Sequence, residues 1–148
     1  MPKVRVFSPV YTPAPTTTQD SDSTCFVLYP MIAYRLRLRF RRIGMKDRVM
    51  EYFAYVDCIR AGVERGDSIL PVEEWEVEEK RLMKGNIGEK EADEIAVNAA
   101  KSWGNMMVIS WWNPSVEIVE KVGAYKIFWI CSDHVLDSLT GEKFAVSR

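Results

Sequence analysis

An α+β fold, with an antiparallel sheet of hairpins packed against one long amphipathic helix, is what three features of the sequence predict. Arg35, Arg37, Arg39 and Arg41 alternate with Leu36, Leu38 and Phe40, a period of two that marks a half-buried strand. Ala92, Ile95, Ala96, Ala99, Trp103, Met106 and Met107 recur at steps of three and four, the apolar face of a helix. Between Val116 and Val146 the pattern returns to β, with a hairpin tip at residues 137–141. A helix followed by antiparallel strands is an α+β layer.

The 148 residues are enough for one domain with its own core, without metal or disulfide staples. An apolar fraction of 47% and a charged fraction of 28% are those of a globular chain. The formal charge of −1 gives no global pull on polyanions or polycations. Cys25, Cys58 and Cys131 are far apart, form no C-x-x-C and are odd in number, so free and mostly buried thiols are expected. The N-terminus lacks an export-type apolar segment and no run reaches 18 apolar residues; a cytoplasmic protein without membrane contact is the expectation.

Residues 1–24 read as a short strand, Val4-Arg5-Val6-Phe7, and a Pro/Thr-rich arm over residues 8–24, whose apolar content is too low to offset its ordering entropy. A single domain over residues 25–148 follows. Its first strand covers residues 26–42, with Pro30 at a strand start, an edge or a bulge because proline cannot donate to a ladder. After a turn at residues 44–47, the aromatic and β-branched run of residues 49–57 is the returning strand. Residues 64–79 carry seven carboxylates against Arg65, a balance of −6. Residues 34–48 carry seven cations against Asp47, a balance of +6. The two blocks are expected to meet, within the chain or across a dimer. Alternation in Glu74-Trp75-Glu76-Val77-Glu78 favours an edge strand over a helix.

Gly88 is a tolerated helix cap, and Glu89 and Glu91 in the first turn suit the helix dipole. The helix is expected over about residues 89–103; Gly104-Asn105 ends it, or kinks it and lets it run on to Trp112, where Asn113-Pro114 stops it. Residues 116–122, a tight Gly123, residues 125–131 and residues 134–146 then form strands, with Gly141 left-handed in the last turn. Residues 26–66 and 115–148 also align as two degenerate strand–turn repeats, Asp57 standing where Asp137 stands. Convergent turn chemistry is the competing explanation.

The helix opening Glu89-Lys-Glu-Ala, the strands after it and Asp137-x-x-Thr140-Gly141-Glu142 together resemble the PepSY domain, over about residues 87–146. The resemblance implies a non-enzymatic binding or regulatory module.

Chemical signatures are few. His134 is the lone histidine, no phosphate-binding or nucleophile-elbow motif occurs, and no short-spaced metal ligands are present, so no cofactor, metal or catalytic residue is expected. Cys131 and His134 fall on opposite faces of an extended strand, and Glu74, Glu76 and Glu78 read as a solvated or Arg-paired edge. Arg35, Arg37, Arg39 and Arg41 form the leading candidate site. They read either as a salt-bridged interface or as a phosphate-tracking face with Tyr34, Tyr52 and Tyr55 as stacking platforms. Trp103, Trp111, Trp112 and Trp129 are candidate pocket or interface aromatics, since adjacent Trp111 and Trp112 cannot both face a core. The expected function is protein association, with a homo-oligomer or another protein as partner; single-stranded nucleic-acid binding comes second and a Trp/Met-lined small-molecule enzyme or ligand binder third.

Overall fold

The structure, a computed structural model, describes residues 1–13, 25–110 and 112–145. Its elements in chain order are β1 (Lys3–Phe7), β2 (Cys25–Arg42), β3 (Met45–Asp57), β4 (Val63–Gly66), β5 (Val72–Glu76), α1 (Glu89–Met107), β6 (Ser115–Ile130), β7 (His134–Asp137) and β8 (Lys143–Ala145). The fold is mixed α and β: one long helix and a sheet of eight strands in the order β4-β3-β2-β6-β1-β5, with β7 on β6 and β8 on β7. The sheet is not wholly antiparallel as expected, because β1 runs parallel to β6 at Val6 and Tyr125. By internal packing the chain divides into two compact units, one of Met31–Ile69 with Gly85–Gly123 and one of Met1–Pro30, Leu70–Lys84 and Ala124–Arg148.

In the helical unit, β2 and β3 pair antiparallel from Met31 opposite Asp57 to Arg42 opposite Met45, and β4 pairs with β3. Tyr34, Leu36, Leu38, Phe40, Tyr52, Ala54 and Val56 project from one sheet face into a core shared with Ala92, Ala96 and Ala100. The helix buries a narrower stripe than its periodicity suggests: Ala92, Ala96, Ala100 and Gly104. Small residues let the two backbones approach closely. A Cβ on Gly104 would lie 2.7 Å from Leu38 Cδ2 and 2.8 Å from Phe40 Cζ. Gly104 therefore neither ends nor kinks α1, which runs to Met107 and stops there, short of Trp112, with the Val108 amide donating to the Gly104 carbonyl. Met106 and Met107, assigned above to the buried face, lie past this contact and are exposed.

In the other unit, β1 lies between β6 and β5, and Val6, Leu28, Val77 and Ile127 form the core. Phe26 sets its ring edge-on to Trp75 and Trp129 at centroid distances of 5.6 and 5.9 Å. The start of the Pro/Thr-rich segment is tied down rather than free: Ser8 donates to Pro71, Val10 and Tyr11 donate to the Ser138 carbonyl, and Trp129 Nε1 donates to the Tyr11 carbonyl. Residues 14–24 of that segment lie outside the described residues.

The expected turn at Gly123 is absent; residues 115–130 make one continuous strand. Gly123 and Pro30 each stand where a long strand passes from one unit to the other. Both residues weaken a strand interior, glycine by its backbone freedom and proline by its missing donor, so both sit at the seams. On the β3 side, the ladder begins just after Pro30.

The turns after β3 and β7 are alike bond for bond. Asp57 Oδ1 accepts from the Ile59 and Arg60 amides, as Asp137 Oδ1 does from Leu139 and Thr140. The Ala61 and Gly141 amides donate to the carbonyls of Asp57 and Asp137, and both residues are left-handed, with φ of 62° and 76°.

Candidate functional site

The alternation in β2 that sends leucine and phenylalanine toward α1 sends its arginines to the opposite face. Register decides what they meet. Arg37 stands directly across from Glu51 on β3 and Arg35 two pairs further along, on the same face. Arg35 donates to the Glu51 carboxylate through Nε at 3.2 Å and Nη2 at 3.0 and 3.1 Å, and Arg37 donates to it at 3.1 Å. These hydrogen bonds, that of Arg35 first, hold the Glu51 carboxyl below its ordinary pKa. Arg37 also reaches Glu117 on β6 at 3.7 Å, and Arg39 lies 3.8 Å from Asp47. Arg41 stacks its guanidinium 5.1 Å from the Trp112 ring centroid. Within the chain the acids that answer the arginines are thus Glu51, Glu117 and Asp47, and among the described residues the block at residues 64–79 makes no ion pair with them.

The tyrosines assigned to base stacking are spent elsewhere. Tyr34 and Tyr52 are buried on the helix side, and Tyr55 is nearly buried with its hydroxyl donating to the Ser68 carbonyl at 2.6 Å.

Trp103 packs on Tyr52 in the helical unit, Trp129 is held in the other unit, and Trp112 is exposed beneath Arg41. Trp111 lies outside the described residues.

Sequence reasoning missed a different feature at one end of the helical unit. Val108 buries itself after α1 and throws Ile109 outward, where it is 96% exposed. Ser110 Oγ then donates to the Arg41 carbonyl at 2.8 Å, fastening this loop beside the end of β2. The β2–β3 turn adds Ile43 and Met45 around Gly44, whose φ is +67°. Ile43, Met45, Val49, Met106, Met107, Ile109 and Trp112 are all exposed. The legible signal was Ile43-Gly44-Met45, two large apolar side chains at a turn where polar ones are the rule. Five cations, Arg39, Arg41, Arg42, Lys46 and Arg48, stand among them against Asp47 alone.

Two further polar clusters are structural. Tyr34 donates to Asp93 Oδ1 at 2.5 Å, and Lys121 clasps Asp93 at 3.1 Å and Glu89 at 2.5 Å. Burial, with Asp93 adding to it, raises the Tyr34 hydroxyl far above its ordinary pKa, so it serves as a donor and not as a base. In the other unit Lys126 and Asp137 form a buried ion pair at 2.9 Å, with the ammonium 4.7 Å from the Phe128 ring centroid and 5.7 Å from that of Tyr29.

The cysteines are free, and only Cys58 is buried; Cys25 is exposed and Cys131 half-buried, which corrects the expectation of mostly buried thiols. Burial raises the Cys58 thiol pKa, the condition of an inert cysteine. His134 Nδ1 lies 2.6 Å from Asp133, and its ordinary partner is thus a carboxylate. Among the described residues no group of three or more His, Cys, Asp or Glu is placed to hold a metal, and no helix is long and apolar enough to cross a membrane. No family model, curated protein or solved structure matches this chain.

Proposed function

We propose that the protein is a non-enzymatic association module that binds protein chains, copies of itself included, through the apolar end of its helical unit. One observation carries this reading: seven large apolar side chains, Ile43, Met45 and Val49 of the β2–β3 hairpin and Met106, Met107, Ile109 and Trp112 after Gly104, stand exposed, and Ser110 and Trp112 tie the second group to Arg41 near the hairpin. Scattered exposed hydrophobics are normal, but a group gathered by two fastened segments is the mark of an interaction surface. Methionine, tryptophan and arginine are also the residue types enriched in such surfaces. The PepSY resemblance supports a regulatory binding role, through the helix, the strands after it and the Asp137 turn. Free thiols at Cys25, Cys58 and Cys131 suit a reducing compartment such as the cytoplasm.

Size exclusion with light scattering tests the reading. Wild type at tens of micromolar is expected above monomer mass. The variant Met106→Ser/Ile109→Ser, with an unchanged circular dichroism spectrum, is expected at monomer mass. A wild type that stays monomeric throughout that range sinks the self-association.

Phosphate binding along the arginine face is the second reading, resting on Arg41, Arg42, Lys46 and Arg48, which make no ion pair among the described residues. A single-stranded oligonucleotide complex whose affinity falls with salt and disappears in Arg41→Gln/Arg48→Gln would promote it.

A further inference from the structure

We infer that the turn after β7, together with Trp129, is a recognition site for proline-flanked, aromatic-centred segments of other proteins, and that the chain's own residues 8–13 occupy it as a built-in competitor. The inference is independent of the association reading, because every group it uses belongs to the other unit.

Residues 8–13, Ser-Pro-Val-Tyr-Thr-Pro, follow β1 and form neither helix nor strand, yet they are seated. The Ser8 amide donates to the Pro71 carbonyl at 2.8 Å, and the Val10 and Tyr11 amides both donate to the Ser138 carbonyl at 2.9 Å. The Tyr11 carbonyl accepts from Trp129 Nε1 at 3.0 Å. All four bonds use the main chain of the segment, so they read its path and not its side-chain chemistry. The prolines stand at Pro9 and Pro13, where none of these bonds calls for an N–H. Proline also holds itself and the residue before it away from helical geometry, so a segment of this kind arrives partly ordered and loses little entropy on docking. Aromatic surfaces that take proline-rich peptides exploit this preformed shape.

The receiving groups are fixed by contacts of their own. Ser138 is fully buried, and its amide donates to the Ile127 carbonyl. Trp129 is held edge-on by Phe26 at 5.9 Å. Gly141 leaves room for the aromatic ring: a Cβ there would lie 3.0 to 3.1 Å from three Tyr11 ring atoms. The resident segment is held more lightly. Val10 and Tyr11 remain 57% and 46% exposed, and main-chain bonds that water can replace are individually modest. Its advantage is the tether to β1, which keeps its effective concentration high. A partner segment of the same chemistry, present in sufficient excess, displaces it.

Fluorescence anisotropy of a fluorescein-labelled peptide, Ser-Pro-Val-Tyr-Thr-Pro, tests this on the full chain. Tyr11→Pro removes the ring and one amide donor of the resident segment and alters no residue of β1 or β2. With an unchanged circular dichroism spectrum, it is expected to bind the peptide about tenfold or more tightly than wild type, whose tethered segment competes. Adding Trp129→Phe, which keeps a ring against Phe26 and removes the indole donor, is expected to weaken that binding about threefold to tenfold. The same peptide with alanine in place of tyrosine is expected not to bind. Wild type gives a readout free of folding defects: excess peptide is expected to speed hydrogen exchange at the Val10 and Tyr11 amides.

Four results would overturn the inference. A folded Tyr11→Pro variant that binds the peptide no better than wild type shows that the resident segment blocks no site. Equal binding of the alanine peptide shows that the turn does not select an aromatic ring. Peptide bound to wild type without faster exchange at Val10 and Tyr11 lies elsewhere on the molecule. Self-association of wild type that disappears in Tyr11→Pro assigns the site to the segment of a second copy and not to another protein.

Discussion

Asp137 closes the same turn as Asp57 and in addition neutralises Lys126 in the interior. Removing one partner of a buried pair leaves the other charged in a poor solvent, at a cost of about 3–5 kcal/mol. Losing the turn bonds alone costs about 1–2 kcal/mol. Asp137→Ala is therefore expected to lower the urea-unfolding free energy more than Asp57→Ala does, and equal losses would show that the ion pair contributes nothing. The fourth residue after each aspartate offers a second comparison. Ala61 holds a φ of 62°, where a Cβ costs about 1–2 kcal/mol, whereas Gly141 holds 76° without one. Ala61→Gly should be neutral or stabilising by up to about 1 kcal/mol, since added chain entropy offsets part of the relief. Gly141→Ala should destabilise, because it adds the strain and also sets a Cβ 3.0 Å from the Tyr11 ring. Thermal melts of the two reciprocal variants read this directly.

At the scale of the element, α1 and β2 show what a sequence pattern conveys and what it omits. Glycine to alanine inside a helix ordinarily stabilises by about 1 kcal/mol. At Gly104 the new methyl group would strike Leu38 and Phe40, both fully buried and unable to withdraw, at an overpacking cost of about 1–3 kcal/mol. Gly104→Ala is thus expected to lower the melting temperature, and a rise would show that the helix can lift away from β2. Glu51 gives the matching test for β2 and β3. Its carboxyl is held below its ordinary pKa by Arg35 and Arg37, so its contribution is complete above the ordinary carboxylate range and is lost as pH falls through the folded value. The stability difference between wild type and Glu51→Gln should be present at neutral pH and vanish in acid.

The strand and helix periods were legible at this scale because burial on one face imposes them: Leu36, Leu38 and Phe40 could be placed without coordinates, as could the helix start at Gly88 and the left-handed Gly141. Partners were not legible. Whether Arg37 meets Glu51 or a glutamate at residues 64–79 depends on register, which local pattern does not carry. The fate of Met106 and Met107 was hidden for a similar reason, since they obey the helical period yet lie beyond the core that the period addresses. Gly123 misled through composition alone, a glycine inside a strand reading as a turn.

Over the whole molecule, a net charge near zero conceals an uneven layout. The arginine row is largely answered within its own unit by exposed or half-exposed pairs, which solvent screens and which contribute little each. Arg41, Arg42, Lys46 and Arg48 make no ion pair among the described residues, whereas Glu76 on β5 meets Lys3. Raising salt from about 0.05 M to about 0.5 M shortens the screening length severalfold and, because the exposed pairs contribute little, should leave the unfolding midpoint nearly unchanged. Thermal melts across the salt series check this; a midpoint that falls steeply would show that the pairs act as a network.

The passage of β2 and β6 through both units also bears on the order in which the protein can be finished during synthesis. Everything in the helical unit has left the ribosome once Gly123 emerges, and its core of Leu36, Leu38, Phe40 and the α1 alanines can close at that point. The other unit includes both β1 and β8. Until residues 124–130 arrive, β1 has no β6 beside it, so Val6 and Phe7 wait with one flank bare while the rest of the chain is translated. The nascent protein thereby leaves β1 open to aggregation for longer than the strands of the helical unit.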